Sequence, residues 1–102
     1  MMEFLVRIEQ NISPDMDPER LAELKKAEHA RGRELAEAGV IRRIWRNPGR
    51  RGVWALYEVE GPDELHAALS SLPLYPWMDI EVFPLGSHAL DPGRNGSEVH
   101  NG

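Results

Sequence analysis

A chain of 102 residues with 41% apolar side chains has room for one small domain and a modest core. Its net charge of −5 argues against nucleic acid as a partner, because phosphate binding needs a basic face. With no cysteine it has no disulfide, no thiolate chemistry and no sulfur-ligated metal.

The first ten residues are broken by Glu3, Arg7 and Glu9 and lack the basic start and long apolar run of a signal peptide. No window approaches the roughly 20 apolar residues of a spanning helix. A soluble, cytoplasmic protein with no membrane partner is therefore expected. Residues 4–9 read as a first strand, with Phe4, Val6 and Ile8 alternating with Leu5, Arg7 and Glu9. Asp17-Pro18 supplies a cap and a first helical position, and the helix that follows is predicted to run to about Ala38, with Gly39 as its stop. Strands are predicted over 40–46 and 53–59, separated by the turn opened by Asn47-Pro48-Gly49. Gly61-Pro62-Asp63-Glu64 starts a second helix through about Ser70, and a loop with Pro73 and Pro76 leads to a fourth strand over 78–83. Residues 1–90 form the expected domain. The polar, Gly-rich residues of 91–102 are expected to be a disordered tail, where Asn95-Gly96-Ser97 has no meaning as a glycosylation site.

The order β-α-β-β-α-β predicts an α+β, ferredoxin-like sandwich, with two helices on one face of a four-stranded sheet. Strands one and three are apolar on both sides, at Leu5 as well as Phe4, and at Trp54 and Leu56 as well as Ala55 and Tyr57. A sheet with one wet face alternates more cleanly, so the open face is expected to be covered by a second subunit in a two-fold dimer.

The first helix carries the main chemical clue. Its apolar stripe begins at Leu21 and Leu24 and resumes at Leu35, but the positions that continue it are Glu28 and Arg31. A carboxylate in a leucine row is either paired or lines a pocket, where burial raises its pKa and nearby cations lower it. Lys25, three residues before Glu28, is near enough to pair with it. An Arg31–Glu28–Lys25 ion-pair cluster is the structural alternative. On the second strand, alternation puts Arg42 and Arg46 on the face of Val40 and Ile44, and Arg43 and Trp45 on the other. Arg42 and Arg46 either hold an acidic substrate by paired hydrogen bonds or form a solvated strand end. His29, His66, His88 and His100 make no metal-ligand spacing, and no Gly-rich loop precedes a helix. What remains is acid–base chemistry on a small anion.

Met16-Asp17-Pro18, Leu24-Lys25, Glu28, Gly39, Trp45-Arg46 and Gly49 resemble the muconolactone isomerase family in order and spacing. More specific is Leu65-His66 followed by Leu72-Pro73-Leu74-Tyr75-Pro76-Trp77-Met78-Asp79-Ile80-Glu81-Val82, and His88 also matches. The resemblance spans roughly residues 3–88. It implies a dimeric α+β barrel subunit, paired as a homodimer and assembled into a homodecamer, with no metal and no organic cofactor. It also implies isomerisation of muconolactone to 3-oxoadipate enol-lactone in aromatic catabolism. In that reading Glu28 is the proton carrier and Lys25 its electrostatic partner. Arg46, with Arg42, Trp45 and Tyr75, makes the set that binds a small acidic lactone. The chain departs from the family at Arg50, Arg51 and Val53, where a His-Tyr pair and an Asn are usual, so the pocket wall is more apolar or more basic. The rivals are another cofactor-free enzyme on this scaffold, a monooxygenase or lactone dehalogenase, and a non-catalytic binding module.

Overall fold

The computed structural model describes residues 1–93, so most of the expected tail, with Asn95-Gly96-Ser97 and His100, lies outside the described residues. The elements follow the predicted order. β1 is Met2–Gln10, α1 Pro18–Glu37, β2 Ile41–Arg46, β3 Val53–Val59, α2 Pro62–Ser70 and β4 Met78–Leu85, with a single 3-10 turn at Tyr75–Trp77. The punctuation residues act as their chemistry requires. The Asp17 carboxylate accepts the Arg20 N–H at 3.1 Å, Pro18 fills a position whose N–H would lack a partner, and Gly39 ends α1 at φ 79°. β4 runs two residues further than predicted, through Pro84 and Leu85 on the sheet edge.

All three pairings are antiparallel and the strand order is β2-β3-β1-β4, the ferredoxin-like arrangement. Phe4, Val6 and Ile8 on β1 and Ala55, Tyr57 and Val59 on β3 point to the helices and are buried with Leu35, Leu65 and Leu69. Burying each of the larger aliphatic side chains contributes on the order of 1.5–3 kcal/mol. Leu72 and Leu74, in the loop after α2, plug the same core and fix that loop against it.

The opposite face is also apolar. Leu5 sits between Leu56 and Phe83 in register, Trp45 lies opposite Trp54, and the Trp54 and Phe83 rings are 6.0 Å apart. Trp45, Phe83 and Leu85 are each at least 40% exposed, a contiguous surface of the kind that marks an interaction site.

One expectation fails on β2. The β2–β3 register shifts between Ile41 and Arg43, so Ile41, Ile44 and Arg46 share the helix-facing side while Arg43 and Trp45 take the open side. Arg42 lies in this bulge and its Nη1 is 2.8 Å from the carboxylate of Glu58, which alternates onto the open side of β3. Strict alternation put Arg42 beside Arg46; one irregular residue separates them. Among the described residues no helix is long and apolar enough to cross a membrane.

Candidate active site

The exposure pattern of α1 reproduces the interrupted stripe. Leu21, Leu24, Glu28 and Arg31 are half-buried and Leu35 is buried, whereas the residues flanking Glu28 and Arg31 in sequence are exposed, Gly32 excepted. Offset to one side of that stripe, Lys25, Gly32 and Ala36 form a second row that lines a space with residues of β2 and β3. The small side chains of Gly32 and Ala36 in that row leave the space between helix and sheet unfilled. A Cβ added to Gly32 would meet nothing within 4 Å. The result is a cavity of about 660 Å³ between α1 and the sheet. Its floor is apolar, with Ile8, Ile44, Val53, Ala55 and Tyr57, and Glu28 is the carboxylate in its wall.

Glu28 is held from one side. Its Oε1 accepts the backbone N–H of Leu74 at 2.9 Å. The loop 72–74 is buried at both leucines, so this amide needs a partner inside the protein, and Glu28 is the one supplied. Glu28 is in no ion pair among the described residues. The alternative Arg31–Glu28–Lys25 cluster does not form: Arg31 donates to the Ser71 hydroxyl at 2.9 Å and pairs with Glu34. Burial pushes the Glu28 carboxyl above its usual range, opposed by the Leu74 N–H and by His29.

A second hollow of about 780 Å³ adjoins the first, sharing Gln10, Lys25, His29 and Val53 with it. Arg46 and Arg51 line it too, so its wall is cationic. Among the described residues Lys25, Arg46 and Arg51 hold no carboxylate, unlike Arg7, Arg31, Arg42 and Arg50. The arrangement is an apolar chamber with one carboxylate in its wall and, in and beside it, cations that form no salt bridge among the described residues. Such a site suits proton transfer on a small anion whose charged end stays near the cations.

Glu28 and Lys25 line the cavity, Lys25 and Arg46 line the adjoining hollow, and three other expected residues lie elsewhere. Arg42 is tied to Glu58. Trp45 lies on the open face with the Arg43 guanidinium 5.0 Å from its ring. Tyr75 packs against the core edge-on to His66, with ring centroids 6.3 Å apart. Of the three departures, Arg50 reaches Glu9 at 3.4 Å, whereas Arg51 and Val53 line the site. His29 and Tyr57 also line it. His29 follows Glu28 directly and was legible as a neighbour; Tyr57 reads as an ordinary core position in an apolar strand.

Comparison with known proteins bears on this geometry. The family model described as muconolactone delta-isomerase matches residues 2–91. The chain belongs to the muconolactone delta-isomerase family. It is 46% identical over 88 residues to muconolactone delta-isomerase 2 of Acinetobacter lwoffii, covering 86% of this chain and 92% of that one. It is 40% identical to the muconolactone delta-isomerase of Rhodococcus opacus, covering 86% of this chain and 95% of that one. A crystal structure of muconolactone isomerase superposes with a TM-score of 0.86 at 33% identity, covering 92% of this chain and 98% of that one. The muconolactone isomerase fold and the enzyme class, isomerase, follow from these matches rather than from the site alone.

Proposed function

We propose that this protein isomerises muconolactone, or a closely similar acidic lactone, by moving a ring carbon–carbon double bond, with Glu28 as the proton carrier. The observation that supports it most is Glu28 itself, a carboxylate in a helical leucine row, in the wall of a cavity and in no salt bridge among the described residues. The ionised carboxylate takes a proton from the ring carbon bearing the side chain. The electron pair spreads through the double bond to the lactone carbonyl oxygen, and the proton returns two carbons away. A raised pKa makes Glu28 a better base, and with Oε1 accepting the Leu74 N–H the other carboxylate oxygen is left to carry the proton. Lys25 and Arg46 hold the free carboxylate of the substrate and offset the charge that develops. Arg42, Trp45 and Tyr75 have no part in this reading of a single subunit.

The test is incubation with muconolactone, followed by proton NMR. A moved double bond is expected, and kcat/KM for the methyl ester should fall at least about tenfold, since the ester has no charge for the cations. No turnover, or a product with inserted oxygen, would remove the proposal. The reading includes self-association through the open sheet face, supported by exposed Trp45, Phe83 and Leu85. The same preparation should sediment at a multiple of 11.6 kDa, and a species of that mass alone would refute pairing.

A further inference from the structure

We infer that the hydroxyl of Tyr57 is a second working group of this site, donating a hydrogen bond to the lactone carbonyl oxygen as negative charge gathers there. The inference rests on the isomerase reading of Glu28 and adds to it a group that the resemblance did not assign. Tyr57 stands on β3 between Phe4 of β1 and Ile41 of β2, on the side of the sheet facing α1, and lines the cavity that holds Glu28. The side chain is only 1% exposed.

A phenol this deep ordinarily finds a partner for its O–H. Here no described residue provides one, because among the described residues no hydrogen bond involves that oxygen. Nor is the oxygen sealed in apolar packing, since among the described residues no fully enclosed side-chain oxygen or nitrogen lacks a partner. It must therefore border the cavity, where an occupant can accept from it. A purely structural role needs only the ring, and phenylalanine would serve that role without leaving a polar group over an apolar floor.

The chemistry fits the position. When Glu28 removes the proton, the substrate becomes a dienolate with its charge largely on the carbonyl oxygen. The Tyr57 O–H donates to that oxygen and keeps its own proton. Glu28 then returns the proton to the carbon next to the carbonyl, and no other reactant is consumed. Burial first, and then the Glu28 charge, push the Tyr57 hydroxyl up to about 12, so it is a donor and not a base over the working range. A donor placed in advance where charge develops stabilises the transition state more than the ground state.

Tyr57→Phe keeps the ring in the core and deletes the hydroxyl alone. With muconolactone as substrate, kcat is expected to fall about 100-fold with KM changed less than about threefold. The acid limb of the pH–rate profile should stay in place, because Glu28 is untouched. A kcat within about threefold of wild type would overturn the inference and leave the isomerase reading standing. An acid limb that moves, with the plateau rate preserved, would also overturn it, making Tyr57 a positioning residue for Glu28. An inactive wild type would take down the isomerase reading and this inference with it.

Discussion

Glu28→Gln is expected to lower turnover of muconolactone by roughly 10³-fold while the protein stays folded. The substitution separates the observed hydrogen bond of Glu28 from its proposed proton transfer. Its Oε1 accepts the Leu74 N–H, and a glutamine carbonyl can accept that bond equally well. Its capacity to take and return a proton has no replacement in glutamine. Stability points the same way. The folded carboxyl binds its proton more tightly than an unfolded one, whose pKa is near 4.5. Between that value and the raised one the folded state carries more protons, so stability falls as pH rises through the window. Above it the ionised, half-buried carboxylate is a cost to the fold. Glutamine is neutral at every pH, so Tm near pH 7 should be unchanged or higher, measured by thermal unfolding beside the activity loss. Near-normal turnover in this variant would end Glu28's assignment as proton carrier. A large fall in Tm would show that its role is to hold loop 72–74.

The largest stability effect is expected at Gly52, in the turn that enters β3. Its φ of 134° is a conformation that side chains rarely adopt. A Cβ there would also run into the Ile8 carbonyl oxygen and come within 3.0 Å of the Glu9 Cα, both backbone of β1. Neither can yield without breaking the β1–β3 register that starts at Ile8 and Val53. Gly52→Ala is therefore expected to cost about 3 kcal/mol or more, lowering Tm by roughly 15 °C for a domain of this size. Gly49, at φ 74° with open space around it, is the control, and alanine there should cost only about 1 kcal/mol. Equal melting temperatures for the two variants would show that the close approach at Gly52 is not maintained in solution. Because Gly52 lines the cationic hollow beside Arg51, the same variant should bind substrate poorly.

Much of this architecture was legible in the residues. Alternation in 4–9 and 53–59, the Asp17-Pro18 start and the Gly39 stop defined the elements, because each records a local steric or hydrogen-bonding demand. Glu28 was legible for a different reason: a charged residue in an apolar row has to be accounted for. Whether it was paired was not legible. Arg31 turns to Ser71, forty residues away in the chain, and the Leu74 amide arrives from a loop whose path depends on the core. Arg42 was misplaced because a bulge carries no fixed residue signature, and one unpaired position reverses the face of those before it. Trp45 and Tyr75 entered through resemblance, and within one subunit neither lines the cavity. Tyr57 is not legible as a site residue because an aromatic residue in an apolar strand looks like packing, and the cavity it lines with Gly32 and Ala36 exists only in the fold.

The pH dependence of kcat for muconolactone at saturating substrate tests the role of Glu28 most directly, since it reports ionisation in the enzyme–substrate complex and not that of the free substrate acid. A proton-carrying Glu28 predicts a rate that falls as pH drops through a single limb centred above 4.5, and that limb should be missing from the residual activity of Glu28→Gln. A wild-type profile flat from about pH 7 down to about pH 4, or one that rises toward acid, would contradict it.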